Sequence, residues 1–358
     1  MTLSRPAPIP VAPALPDFAQ IEPIGRCNLA CRMCTVNDRG DTVGELPFEQ
    51  FAAILAQLPQ LKRLHLQGLG EPMLHPRFFD MVALAARQGI DVSTNTNLTL
   101  LTEARARRCV TSGLRSLSVS LDGASAAVYE SIRVGASFDK VVRNLGRLMA
   151  ARTAADSPLH VRGVMVLMRR NLSELPALIR LLHDHGVHEL LVQRLSSDLT
   201  QPDLPARYIP IQRYCDTAEL TPADLRHAEA VFAQARAQAA ALRFTLHLPR
   251  LTAPTPTPDA ATGPPPRCNW PSEQLYLTAA GEMLPCCMVA TADRATLGNV
   301  LNGAPRQAPA DPADPAEPAK PDVAGVWAGA RAQAFRTALG SDTPPAVCQS
   351  CALYRGTF

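Results

Sequence analysis

The chain has 358 residues, of which 47% are hydrophobic and 19% charged, with a formal net charge of +3. This describes an ordinary globular protein with enough chain for one large core and a smaller appendage. The near-neutral charge spreads over solvated helix faces such as Ala104–Arg108 and argues against nucleic acid as a partner, and no apolar run approaches the length of a membrane span.

Residues 1–17 are rich in proline and lack the continuous apolar core of a signal peptide, which points to the cytoplasm. In that compartment ten cysteines ask for metal rather than disulfides. From 18 to 250 short apolar runs alternate with amphipathic helices. Strands are expected at Ala19–Ile24, Arg63–Leu66, Asp91–Thr94, Ser116–Leu121, Val161–Leu167, Glu189–Gln193 and Arg243–Leu248. Phe138, Val141, Val142, Leu145, Leu148 and Met149 form one helical stripe. Ser173 is expected to cap a helix that ends at Gly186, and Thr221-Pro222-Ala223-Asp224 reads as another helix start. Such alternation implies a parallel sheet, open or closed into a barrel, with chemistry at the carboxyl ends of its strands.

Directly after the first strand comes Cys27-Asn28-Leu29-Ala30-Cys31-Arg32-Met33-Cys34. Three thiolates in one loop can hold three irons of a four-iron cluster and leave the fourth open to a small molecule. A structural zinc site is the competing reading, but no fourth ligand follows soon enough to complete it. The second strand is followed by Gln67-Gly68-Leu69-Gly70-Glu71-Pro72, the third ends in Ser93-Thr94-Asn95-Thr96-Asn97, and the fourth in Ser118-Val119-Ser120-Leu121-Asp122-Gly123.

The CxxxCxMC loop, the GxGEP segment and the SLDG segment together resemble the radical S-adenosylmethionine (SAM) enzymes over 18–248. The resemblance implies a partial (β/α)6 TIM-like barrel within the α/β class. It implies a 4Fe–4S cluster on Cys27, Cys31 and Cys34 that cleaves SAM to a 5′-deoxyadenosyl radical. Gly68 and Gly70 are expected to let the backbone approach the ligand, and Glu71 to receive the SAM ammonium group. Asn95, in a segment of hydroxyls and amides, suits ribose hydroxyls, Ser120 of the SLDG segment is a further cofactor-binding candidate, and Arg133 suits the SAM carboxylate. A flavodoxin or ferredoxin is the implied electron donor.

Beyond a proline-rich linker at 251–266 lies a second cysteine set in 267–358: Cys268, Cys286, Cys348 and Cys351. Gln274–Leu277, Gly281 and Met283–Leu284 read as a hairpin that brings Cys268 towards Cys286. A proline- and alanine-rich insertion spans 304–321. The set resembles the SPASM/Twitch extension of radical SAM enzymes, and the chain ends too soon after its CxxC for a second auxiliary cluster. One auxiliary 4Fe–4S cluster is implied; a zinc ribbon is the competing reading. Cys109 is expected in the core. Cys215, expected in a loop, and Cys287 are candidate catalytic thiols able to donate a hydrogen atom, with a small buried residue as the competing reading for each.

His183, His185 and His188 straddle a helix end and are expected in solvent, while His75 is expected to start a helix. No activated-serine motif, P-loop or GxGxxG is present. The expected reaction is radical dehydrogenation of a sugar-like or peptide substrate, with the auxiliary cluster taking the electron. Epimerisation and peptide maturation are the nearest alternatives, and a non-catalytic metal-binding scaffold is the alternative of another class. The roughly twenty residues before the first strand are short for a leader-binding domain, which counts against the peptide substrate.

Overall fold

A computed structural model of the chain describes residues 13–39, 44–195, 199, 201–251, 268–301, 321–349, 351 and 354. Apart from Leu251 and Pro321, the linker at 251–266 and the insertion at 304–321 lie outside the described residues, as does most of 1–17.

The chain is a mixed α/β protein built on one sheet. Its strands are β1 (Phe18–Ile21), β2 (Arg63–Leu66), β3 (Asp91–Thr96), β4 (Leu114–Ser120), β5 (His160–Leu167), β6 (Glu189–Arg194), β7 (Thr245–His247), β8 (Leu275–Leu277), β9 (Glu282–Leu284) and β10 (Gly298–Asn299). β1 to β7 lie side by side in chain order and run parallel. β8 adds to the other edge of β1, also parallel, and the β8–β9 and β9–β10 pairs are antiparallel. Among the described residues β7 and β10 do not pair, so the sheet is open.

The helices are α1 (Phe48–Ala56), α2 (Phe78–Arg87), α3 (Glu103–Thr111), α4 (Ala126–Ile132), α5 (Phe138–Ala154), α6 (Leu175–Asp184), α7 (Ile209–Ala218) and α8 (Leu225–Ala241) between the parallel strands. α9 (Trp270–Glu273) precedes β8, and α10 (Val323–Ala328), α11 (Ala330–Leu339) and α12 (Ala346–Gln349) follow β10. No helix among the described residues is long and apolar enough to cross a membrane.

Period-two alternation divides the sheet into an apolar and a polar face. Leu64, Leu66, Val92, Leu117 and Val119 are buried, with Val141, Leu145, Leu148 and Met149 of α5 in the same core. The other face carries His65, Ser93, Asn95, Ser118 and Arg162, linked by His65 Nδ1–Ser93 Oγ at 2.8 Å and Arg162 Nε–Ser118 Oγ at 2.9 Å. A polar inner face of this kind suits a sheet that houses a ligand rather than a dry core.

Most expected elements are present with shifted ends. β1 stops at Ile21, and Ile24 instead forms an isolated antiparallel bridge with Glu45. β7 is limited to Thr245–His247 because Arg243, with φ +50°, is still turning the chain out of α8. Thr221 and Asp224 form the expected capping box. Ser173 is a correction: it lies inside a 3-10 turn, Leu172–Glu174, and its hydroxyl meets His227 Nε2 at 3.0 Å instead of capping α6. The expected hairpin forms as β8 and β9 around Gly281, whose φ is +82°.

Candidate functional site

The loop after β1 is braced on three sides. Ala30 N–H donates to Val134 O at 2.9 Å and Arg32 N–H to Ile132 O at 3.0 Å, so the end of α4 and the residues just after it act as a short partner for the loop. Glu71 N–H donates to Arg26 O at 3.1 Å, tying in the loop after β2. At the foot of the loop, buried Glu22 pairs with buried Arg39 at 3.1 Å. The same carboxylate accepts from Leu69 N at 2.8 Å and from Ala279 N at 3.1 Å. One side chain thus joins the cysteine loop, the glycine loop and the turn between β8 and β9.

Cys27, Cys31 and Cys34 line one cavity of ≈290 Å³, together with Gln67–Glu71, Asn95–Asn97, Ser120, Arg133 and Val166. Every residue expected to hold SAM therefore borders the same space as the three thiols: Gly68, Gly70, Glu71, Asn95, Ser120 and Arg133. Asn97 Nδ2 points at Cys27 Sγ from 3.7 Å and Arg133 Nη1 at Cys31 Sγ from 3.9 Å. Burial pushes all three thiols up, Cys34 to about 12. Metal binding at such thiols releases their protons and replaces them with a compact positive charge.

The donor set fits an iron–sulfur cluster. Three soft sulfur ligands come from one loop, N–H groups face two of the sulfurs, and polar groups border the remaining side of the cavity. No group of three or more His, Cys, Asp or Glu among the described residues is spaced to hold a single metal ion.

The glycines owe their identity to packing against the protein. A Cβ on Gly70 would overlap the Ile24 carbonyl oxygen, and one on Gly68 would overlap the Glu22 side chain. Glu71 is buried, and burial raises its pKa while its carboxylate accepts from Thr96 Oγ1 (2.7 Å), Asn97 N (2.8 Å) and Met73 N (3.2 Å). It fastens the loop after β2 to the end of β3. Arg133 Nε lies 2.7 Å from Asp122 Oδ2. Burial opposes the guanidinium charge, but Asp122 and the Cys31 sulfur outweigh it and raise its pKa. Sequence reasoning did not single out Glu22, Asp122 or Asn97. For Glu22 the only signal was a carboxylate immediately after a buried strand.

Cys215 is a second correction. It lies in α7, not in a loop, and packs with Ile132, Met168 and Tyr208. Burial pushes its thiol up to about 11, and it borders neither the cysteine-lined cavity nor the pocket beside α7. Cys109 is in the core as expected. Cys287 is half-exposed beside Cys286, whose thiol burial raises strongly. His75 is buried, contacts Leu46 O through Nε2 at 3.0 Å and accepts from Arg77 N at 3.1 Å, at the start of α2. His188 is exposed and His183 and His185 are partly exposed, with the His183 and His188 rings edge to face at 5.4 Å.

Cys268, Cys286, Cys348 and Cys351 converge on one apolar space with Trp270, Phe335, Leu339 and Tyr354. The space between them is ≈20 Å³, so these side chains would have to turn outward to seat a four-iron cluster. The four cysteines that sequence spacing groups thus border one space, and α11 and Tyr354 supply the packing around it.

Residues 21–182 match the Radical SAM superfamily, a family that uses a 4Fe–4S cluster and SAM. The match ends within α6, short of the expected 248, although the parallel sheet continues to β7. The chain is 33% identical over 194 residues to the tungsten-containing aldehyde ferredoxin oxidoreductase cofactor-modifying protein of Pyrococcus furiosus, covering 50% of this chain and 51% of that protein. It is 33% identical over 161 residues to the mycofactocin maturase MftC of Mycobacterium tuberculosis, covering 45% of this chain and 40% of that one. The chain thus spans about half or less of these curated relatives. In fold it resembles SuiB of Streptococcus suis bound to its precursor peptide SuiA, with a TM-score of 0.65 and 15% identity over 96% of this chain and 71% of that one.

Proposed function

We propose that this chain, whose residues 21–182 match the Radical SAM superfamily, modifies a peptide by abstracting a hydrogen atom and then oxidising the resulting carbon radical. The observation that carries this reading is that Cys27, Cys31 and Cys34 open onto the same cavity as the Gln67–Glu71 loop. A 4Fe–4S cluster held there by Cys27, Cys31 and Cys34 would supply the one-electron reduction of SAM by which hydrogen is taken from a C–H bond.

The protein supplies placement. Cys27, Cys31 and Cys34 would hold three irons and leave the fourth for the SAM amino and carboxylate groups. Asn97 and Arg133 donate towards two of the sulfurs. Asn95 and Ser120 border the same cavity and would be available to ribose hydroxyls. Glu71 and Arg133 bring one charge of each sign to the wall, matching the SAM ammonium and carboxylate. We read the sheet as the wall of a partial barrel over 18–250, and 267–358 as a SPASM/Twitch-type extension. There Cys268, Cys286, Cys348 and Cys351 would hold the auxiliary cluster that accepts the substrate electron.

The peptide substrate is favoured over a sugar-like one by the relatives. MftC is named a maturase, SuiB is bound to a precursor peptide, and anSMEcpe, with a TM-score of 0.55, is bound to a peptide. In the epimerising variant of the reaction, Cys287 is the remaining candidate hydrogen donor, since Cys215 is packed away. The reaction is assigned to the cytoplasm.

Anaerobic reconstitution with iron and sulfide, followed by dithionite and SAM, tests the reading. Wild type is expected to form 5′-deoxyadenosine, and Cys31→Ala to lose that activity by at least about a hundredfold. Cys286→Ala is expected to lower iron per chain and retain SAM cleavage. A colourless, zinc-filled protein that leaves SAM intact sinks the proposal.

A further inference from the structure

A second pocket, of ≈630 Å³, is lined by Arg32, Ser131, Arg169, Arg170, Tyr214 and Asp224 among others. The two pockets share no lining residue, yet the same three chain segments build both. Cys31 and Met33 face the cysteine-lined cavity and Arg32 between them faces the other pocket; Arg133 and Ser131 divide likewise, as do Val166 and Arg169. Buried Ile132, Met168 and Tyr208 pack together nearby, with Met33 against them.

The charge of this second pocket is one-sided. Arg32, Arg169 and Arg170 border it and are all exposed, against one carboxylate, Asp224. That carboxylate is already engaged, by Arg169 at 3.1 Å and by Thr221 N and Oγ1 at 2.8 and 2.6 Å. Arg32 donates from Nε to Ser131 O at 3.0 Å, and its guanidinium has no acidic partner among the described residues.

We infer that this pocket is where an acidic one-electron carrier protein docks to reduce the cluster on Cys27, Cys31 and Cys34. The inference rests on the function proposed above. A substrate must place a carbon against the cofactors, and a molecule in this pocket borders none of the described residues that line the cysteine cavity. An electron transfers without such contact. Arg32 is one peptide bond from Cys31, so a carrier seated on it lies close to the redox centre. Exposed guanidiniums with a surplus of positive charge steer an acidic partner and set the rate at which it arrives. In the step itself the carrier is oxidised by one electron and the cluster is reduced by one; no atom or proton is transferred.

The test uses the full reconstituted chain and a reduced flavodoxin of net negative charge. Two quantities are read: the flavodoxin dissociation constant at low and high salt, and 5′-deoxyadenosine formation with flavodoxin or with dithionite as reductant. Arg170→Glu is expected to weaken binding and slow the flavodoxin-driven rate about tenfold at low salt, with less difference at high salt, where exposed charges are screened. Arg170→Ala is expected to show the same change in smaller measure. The dithionite-driven rate is expected to stay unchanged in both. Arg87→Glu, the same charge change at the end of α2, is the control and is expected to alter neither quantity. Equal behaviour of Arg170→Glu and Arg87→Glu overturns the docking site and leaves the enzyme reading intact. An equal loss with both reductants also overturns it, and marks the pocket as a substrate anchor. Failure of wild type with dithionite overturns the enzyme reading itself.

Discussion

Glu22 is fully buried and accepts from Arg39, Leu69, Gly70 and Ala279. Replacing it by glutamine keeps the shape and removes the carboxylate charge that faces the buried Arg39 guanidinium. Glu22→Gln is expected to lower unfolding free energy by about 3–5 kcal/mol, and Glu22→Gln with Arg39→Met to recover part of that loss. Urea denaturation of the three proteins checks this; a single mutant within about 0.5 kcal/mol of wild type would refute it. The contrast with the cysteines is instructive. Cys27, Cys31 and Cys34 announce themselves because ligands to one cluster must be close in one loop. Glu22 works by reaching segments that are 47 and 257 residues away, and nothing local marks such a residue. Cys215 fails in the opposite direction: a thiol beside a tyrosine looked available, whereas α7 turns it into the core.

At the scale of elements, β5 and α6 touch through a glycine. A Cβ on Gly163 would come within 2.6 Å of Leu182 Cδ1 and 3.1 Å of Leu190 Cδ1. Gly163→Val is therefore expected to push α6 off the sheet and cost about 1–3 kcal/mol, read as a lower denaturation midpoint at unchanged slope. An unchanged midpoint would mean that the two leucines repack freely. Strands such as β2 and β5 were legible because apolar residues alternate between turn signals, and α5 because its stripe repeats with helical period. β7 was overestimated, since its apolar run continues past the three residues that pair with β6. β10, two residues long, has no periodicity to detect. The hairpin of β8 and β9 was legible from its turn, but its seat on β1 was not, because pairing across more than 250 residues leaves no pattern in either strand.

The whole molecule carries a polar inner face, and that face predicts a pH response. Desolvation, with Arg162 nearby, lowers the pKa of His65 from 6.5 to about 4. Between those values the unfolded chain binds a proton that the folded protein refuses, so stability falls as acid is added. The loss begins as pH drops through 6.5, reaches roughly 2–3 kcal/mol near pH 4, and grows no further below it. His65→Gln is expected to flatten this part of the stability–pH curve. Superimposable slopes for wild type and variant between pH 6.5 and 4 would refute the assignment.

The seat of β8 on β1 has a consequence for biosynthesis. While the ribosome has yet to deliver residue 275, β1 has only β2 beside it, and a row of backbone groups faces outward, ready to pair with any passing strand. The β1 to β7 pairing can form before β8 arrives, but that open edge is the surface at which an emerging polypeptide is exposed to intermolecular pairing until the late segments cover it.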